Sequence, residues 1–274
     1  MKFTADFETA TWLSDETYVW AWATCEINDP ENIEIGNSID TFFEYIKTFH
    51  NPILYLHNLK FDGEFIIHYL LTHGFEHIKN SKDRKDNSFT TLISDMGMFY
   101  EITVFLKVGN KKTTKITFVD SLKIIPFSVA DIAKSFGLPI SKLEIDYDEP
   151  REIGHILTDE ERDYIKNDVK IVALALQTLF LENLTSITSA SNALKDFKTT
   201  HSRLRYERLF PQMPYEVDKD MRQAYKGGFT YLNDIYEEKD VMSGVVLDVN
   251  SLRSISISYV WKTYANRLSW VLWW

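Results

Sequence analysis

Residues Asp6-Phe7-Glu8-Thr9, at the end of the run Lys2-Phe3-Thr4-Ala5-Asp6-Phe7, decide how the rest of the chain is read. The run alternates polar and apolar positions as a β-strand does, and a strand points residues i and i+2 to one face. Asp6 and Glu8 therefore stand side by side. Two carboxylates held that close repel each other. A divalent cation is the usual use for such a pair, because its charge removes the repulsion and can activate a water. The triplet alone is not specific: at ordinary Asp and Glu frequencies, roughly one Asp-x-Glu arises by chance in a chain of this size. A solvent-facing acidic pair on an edge strand is the competing reading.

Composition narrows the function classes. With 274 residues and 45% hydrophobic content, the chain can bury one large core or two smaller ones. Aromatics at 14% argue against disorder. A formal net charge of −10 offers no overall basic field, which counts against a DNA-binding module built on many phosphate contacts. An enzyme gripping a few nucleotides in a local cleft remains open. The single cysteine, Cys25, sits among apolar neighbours and reads as a buried, inert thiol in a reducing compartment. No signal-peptide pattern and no apolar run of membrane-spanning length stand in the sequence, so a soluble, cytoplasmic protein is expected.

Residues 18–27 read as a strand paired with the first. Residues 38–49 carry Ile39, Phe42, Phe43, Ile46 and Phe49 at helical spacing behind a Ser38 cap. A buried strand, Ile53-Leu54-Tyr55-Leu56-His57, precedes a helix over 60–73 that Gly74 stops. Runs at 98–108 and 113–120 flank Gly109-Asn110 as a hairpin, and a short helix is expected at 128–136. Thr158-x-x-Glu161 forms a capping box opening a long helix with Ile165, Val169, Val172, Leu176 and Leu179 on one stripe. The predicted class is α/β, a mixed sheet flanked by helices. After residue 184 a small polar segment leads into further helix, and Gly227-Gly228 marks a turn.

Two-metal phosphodiester hydrolysis needs about four carboxylates from separate elements, since the ions sit about 3.5–4 Å apart. Asp62 follows Asn58-Leu59-Lys60-Phe61 at a strand-to-helix junction, where α/β sheets place their sites. Asp168 shares a helix face with Tyr164 one turn earlier. Singly, each has an ordinary alternative. Asp62 can be a helix-start charge and Asp168 a solvated helix residue. His57 can be a satisfied histidine at a strand end, and Phe61 a core aromatic rather than a platform for an unpaired base.

Taken in order, Asp6-Phe7-Glu8-Thr9, His57-Asn58-Leu59-Lys60-Phe61-Asp62-Gly63 and Tyr164-Ile165-Lys166-Asn167-Asp168 resemble the three motifs of DEDD-type 3′–5′ exonucleases. More closely, they are similar to the proofreading domain of the protein-primed family B DNA polymerases of phages and linear plasmids. Asp120-Ser121-Leu122-Lys123 and Lys142-Leu143-Glu144-Ile145-Asp146-Tyr147 also stand where that family has comparable strings. Tyr225-Lys226-Gly227-Gly228 resembles its segment between exonuclease and polymerase domains, and Asp248-Val249-Asn250-Ser251-Leu252 its first polymerase motif. The resemblance implies an RNase H-like fold over 1–184, a junction and incomplete polymerase segment over 185–252, and an aberrant Trp-rich tail over 253–274. It implies that Asp6, Glu8, Asp62 and Asp168 hold two Mg²⁺ or Mn²⁺ ions, with Asp248 as a metal ligand of the polymerase motif. Tyr164 would orient the attacking water and Lys142 would contact the scissile phosphate. Thr9, His57, Asn58, Phe61, Ser121 and Leu122 would hold a single-stranded DNA 3′ end, with further DNA contacts at Tyr225, Gly227 and Gly228. A terminal priming protein is an implied partner; a membrane is not.

The chain departs from the family after Leu252, where Arg253-Ser254 replace the expected Tyr-Pro. The later polymerase motifs do not occur, so DNA synthesis by this chain alone is not expected. The tail reads as an out-of-frame continuation of a polymerase gene. Two other function classes stay in view: a non-catalytic fragment that binds single-stranded DNA or the priming protein, and a stand-alone exoribonuclease.

Overall fold

A computed structural model of the chain describes residues 1–10, 17–109, 112–147, 149–200 and 203–224. The expectations for Tyr225, Gly227, Gly228, Asp248 and the tail over 253–274 lie outside them. The chain divides into two compact units, Met1–Pro211 and Gln212–Trp274. Of the second unit, one helix is described, α7 (Tyr215–Ala224).

The first unit is built on one mixed eight-stranded sheet in the order β3-β2-β1-β4-β8-β7-β6-β5. The central strand β1 (Lys2–Thr9) pairs antiparallel with β2 (Val19–Glu26) and parallel with β4 (Ile53–Leu56). β4 in turn runs parallel to β8 (Thr113–Asp120), with Leu56 opposite Asp120 at the carboxyl ends. The expected hairpin joins β8 to β7 (Phe99–Val108). Three strands complete the sheet that the sequence reading did not assign: β3 (Asp29–Gly36), β5 (Glu76–His77) and β6 (Ser88–Ile93).

Helices cover the two faces. On one face α1 (Ile39–Ile46) and α2 (Leu59–Thr72) bury Phe42, Phe43, Ile66, Tyr69 and Leu70 against Phe3, Phe7, Ile102, Val104 and Phe118. Ser38 caps α1 by accepting from the Thr41 amide, and Gly74, with φ of +78°, follows α2 where an L side chain would be strained. On the other face α4 (Asp159–Leu181) and α3 (Val129–Ser135) pack Ile165, Val169, Val172 and Leu176 onto β2. Ala21, Ala23 and Cys25 lie fully buried in that strand. Such small side chains let a helix seat close to the backbone. The thiol of Cys25 is buried, as expected, and burial pushes it up to about 12. Both cooperative features of the α4 start are present, the Thr158 side chain accepting from the Glu161 amide and Glu161 accepting from the Thr158 amide. α5 (Ser189–Thr200) and α6 (Arg203–Leu209) follow. Among the described residues, no helix is long and apolar enough to cross a membrane.

Candidate nuclease site

Strand alternation fixes which face the first carboxylates use. Phe3, Ala5 and Phe7 enter the core beneath α1 and α2, so Thr4, Asp6 and Glu8 face α4. The Thr4 hydroxyl confirms this orientation by donating to the Val169 carbonyl of α4 at 2.8 Å. β1 reaches α4 one residue from Asp168, which projects from the same stretch of helix.

Asp62 arrives by a different route. β4 ends at Leu56, and Asn58 takes a left-handed conformation with φ of 81° before α2 begins. Its amide donates to Asp120 Oδ1 at 3.2 Å, and the Leu122 amide donates to the same oxygen at 2.9 Å. The buried Asp120 at the end of β8 thus ties two strand-end loops together. That turn places Asp62 in the first turn of α2, buried, with Oδ1 lacking a hydrogen-bond partner.

Asp6, Glu8, Asp62 and Asp168 form one electrostatic cluster. Burial, then the charge of Asp168, raises the Asp6 carboxyl to about 7. Burial raises Glu8 well above the carboxylate range, with Asp6 and Asp168 adding to it. Asp62 is raised in the same way by burial, Asp6 and Glu8. Asp168 is raised by burial despite Lys142, whose Nζ donates to its Oδ2 at 2.6 Å. The other oxygen of Asp168, Oδ1, is buried without a partner. Buried carboxylate oxygens with no donor are costly, and Asp62 and Asp168 each carry one. Among the described residues, no three His, Cys, Asp or Glu side chains close up into a preformed ligand set. The donor set fits a hard cation, which oxygen ligands suit.

Tyr164 is buried with its hydroxyl 2.5 Å from that of Tyr147. Burial, followed by Glu8 and Tyr147, holds the Tyr164 phenol far above its ordinary value, so it stays protonated. Lys142 lies 5.4 Å above the Tyr164 ring. Burial lowers its ammonium but the hydrogen bond and charge of Asp168 outweigh this, so the lysine stays charged.

The remaining expected residues sort by exposure. Phe61 is 49% exposed, with its ring centroid 5.8 Å from that of Phe65, so it is a surface aromatic rather than a core one. His57 is held at both nitrogens, by the Ser121 hydroxyl at 3.1 Å and the Phe127 carbonyl at 2.8 Å. It nevertheless lines a 150 Å³ cavity together with Asp6, Lys142 and Asp168. Ser121 and Thr9 are buried, and the Ser121 hydroxyl also contacts the Leu56 carbonyl at 3.0 Å. Leu122 is partly exposed beside them.

Sequence reasoning passed over Tyr147 as a partner of Tyr164, and over Asp120 as the tie between loops. It also passed over Arg151. This buried guanidinium pairs with Glu161 through Nε, donates to the Asp146 and Glu149 carbonyls at 2.7 and 3.0 Å, and stacks 4.8 Å over Trp20. It anchors the far end of the 142–151 segment that carries Lys142 and Tyr147. An Arg between acidic residues was the only sequence signal available.

A mixed sheet with three carboxylates from its strands and strand ends facing a fourth on a long helix defines an RNase H-like α/β fold. Its relatives are polymerases. The chain matches the family described as DNA polymerase type B, organellar and viral, over residues 48–160 and 149–253, and it belongs to that family. It is 44% identical over 250 residues to the DNA polymerase of Bacillus phage Nf, covering 91% of this chain and 43% of that protein. The DNA polymerase of Streptococcus phage Cp-1 is 31% identical over 241 residues, covering 82% of this chain and 39% of that protein. Among solved structures, Phi29 DNA polymerase complexed with single-stranded DNA matches with a TM-score of 0.77 and 40% identity, over 87% of this chain and 42% of that one. The chain therefore spans about two fifths of the length of the polymerases it matches.

Proposed function

We propose that this chain carries a metal-dependent 3′–5′ exonuclease site that removes nucleotides from single-stranded DNA ends, as the proofreading part of a protein-primed polymerase. The observation that carries the reading is the cluster of Asp6, Glu8, Asp62 and Asp168, with unpartnered buried oxygens on Asp62 and Asp168. These four residues would hold two Mg²⁺ or Mn²⁺ ions. When bound, such ions lower the pKa of a water and stabilise charge on the phosphate and the leaving 3′ oxygen.

The chain's own residues have separable tasks. Tyr164, kept neutral by burial, donates a hydrogen bond and orients the attacking water rather than removing its proton. Lys142, charged and partly exposed, neutralises a phosphate oxygen beside Asp168. Phe61, exposed near the start of α2, offers a face on which an unpaired base stacks without sequence preference. The ring of His57 and the edge of Leu122 border the end. The expected partners are the single-stranded 3′ end and a terminal priming protein, in the cytoplasm of a phage or mobile-element host.

The test is digestion of 5′-labelled single-stranded DNA with Mg²⁺ or Mn²⁺. Stepwise shortening from the 3′ end that chelation stops is the expected result. A failure to shorten DNA with either metal leaves only a binding fragment. Faster cutting of RNA than of DNA replaces the reading with an exoribonuclease.

A further inference from the structure

A groove of about 640 Å³ opens on the far half of the sheet, apart from the carboxylate cluster, and none of the functional assignments uses it. It arises from an asymmetry of cover. On β6, β7 and β8, Phe89, Ile102, Val104, Ile116 and Phe118 point into the core with α1 and α2. The alternate positions, Thr90, Glu101, Thr103, Phe105 and Lys115, line the opposite face and the groove. α4 packs chiefly on β1, β2 and β3. The segment containing Lys79 and Arg84 walls the groove instead.

The lining is basic on an acidic chain. Lys79, Arg84 and Lys115 face one carboxylate, Glu101, whose Oε1 already accepts from the Thr103 hydroxyl at 2.6 Å. Among the described residues, Lys79, Arg84 and Lys115 have no ion-pair partner. Over residues 76–115 the sequence holds eight Lys and Arg against five Asp and Glu, a net +3 in a chain of −10. Such a concentration of positive charge attracts a polyanion locally where the whole molecule repels one. The remaining donors, from Thr90, Thr91, Thr113, Asn80 and Ser81, suit phosphate oxygens. The one aromatic, Phe105, is buried, so bases have no stacking surface there.

The groove also shares a face with the carboxylates. Asp6 and Glu8 face α4, as do Tyr55 of β4 and Val119 of β8, which pack in the same core as α4. Val119 is opposite Glu101 in the β8–β7 register. From β1 to β7 is three strand spacings, about 14 Å.

We propose that this groove binds the phosphate backbone of a single DNA strand whose 3′ end lies at the carboxylate cluster, giving a sequence-independent second hold on longer strands. The direction of the strand rests on the exonuclease reading; binding in the groove does not. The test uses the full chain and oligothymidylates of about 20 and about 5 nucleotides, lengths that bracket a single-strand binding site. Fluorescence anisotropy across a salt series, with Ca²⁺ replacing Mg²⁺, compares wild type with the triple variant K79E/R84E/K115E and with its milder form K79Q/R84Q/K115Q. For the longer strand we expect at least ~10-fold weaker binding in the charge-reversed variant. We also expect a log–log salt slope shallower by about 2 in the glutamine form, about 0.7 for each phosphate that is no longer neutralised. Binding and hydrolysis of the short strand stay as in wild type. The inference is overturned if the longer strand binds both variants as tightly as wild type, or if short and long strands weaken together. A wild type that hydrolyses neither strand would remove the exonuclease reading, while the anisotropy arms still decide the groove.

Discussion

Glu161 and Asp168 sit two turns apart on one face of α4, both buried, yet the molecule treats their charges in opposite ways. Glu161 is surrounded by donors: Arg151 through Nε, His155 Nε2 at 2.9 Å and the Thr158 amide at 2.9 Å. Although burial works against it, these partners hold its carboxyl down at about 2. Asp168 has fewer donors, Lys142 at 2.6 Å and the Tyr164 hydroxyl, with Oδ1 left bare and carboxylates for company. A buried charge given every partner it can use is structural. A buried charge left short of partners has its carboxyl raised, as at Asp168, and is the kind of group the proposed site would use to hold a cation. The comparison separates scaffold from chemistry on a single helix.

The largest effect should therefore come from the under-partnered cluster and should touch activity rather than folding. Asp6→Ala or Asp62→Ala is expected to lower single-stranded DNA hydrolysis by ~10³-fold or more, with the circular-dichroism spectrum and strand binding retained. Glu161→Gln, by contrast, should leave the hydrolysis rate within about tenfold under conditions where it is folded. Equal loss of rate in both classes would erase the distinction. Next comes the scaffold side. Arg151→Met leaves the Glu161 carboxylate buried and stripped of its main partner, and it frees the Asp146 and Glu149 carbonyls. Urea unfolding should show a loss of about 3–5 kcal/mol. A loss below about 1 kcal/mol would mean that the pair is dispensable.

Much of this was legible in the residues alone. Alternation in the first strand put Asp6 and Glu8 on one face, and the capping signals at Ser38 and Thr158 marked two helix starts correctly. Glu161 itself was legible, but only as the distal half of a capping box. That it also receives Arg151 from ten residues upstream depends on how the 142–157 segment folds across Trp20, which periodicity does not encode. Strand β3 escaped because its sequence, Asp29-Pro30-Glu31-Asn32-Ile33-Glu34-Ile35-Gly36, is polar and has a proline as its second residue. Those are features of a protected edge strand and they dilute the β signal. β6 was obscured by the charged segment before it, the same residues that wall the basic groove. Phe61 could be read either way because a sequence does not say which side of a helix start faces solvent; its exposure removes the core reading.

The two clusters should also pull stability in opposite directions with pH when divalent ions are chelated. Glu161 has a folded value near 2, below its ordinary 4.5, so the folded state binds fewer protons in between. Its contribution is complete above about 4.5 and drains away as pH falls toward about 2. Asp6 is the reverse: its folded value near 7 lies above 3.8, so the folded state binds more protons in that window. Stability should fall as pH rises from about 4 to about 7. Thermal melting across pH in EDTA checks both limbs. Asp6→Asn should flatten the upper limb and stabilise the metal-free protein by roughly 1–3 kcal/mol at pH 8. Glu161→Gln should flatten the acid limb only. Should Asp6→Asn destabilise the metal-free protein at pH 8, the claim that its charge is under-partnered would be wrong.

The smallest change tests how the scaffold cluster divides its work. His155 reaches Glu161 Oε2 from a side chain 27% exposed, while Arg151 approaches the other oxygen from a site only 3% exposed. Hydrogen bonds and ion pairs in contact with solvent are worth little, because water competes for both partners. The Thr158 amide also continues to serve Oε2 when the imidazole is gone. His155→Gln, which can still offer an N–H, should therefore cost no more than about 1 kcal/mol in urea unfolding and leave hydrolysis unchanged. Its effect should add to that of Arg151→Met only partially, since both substitutions act on one carboxylate. Full additivity in the double variant would show that the two partners act independently, and that Glu161 is not held by a single shared network.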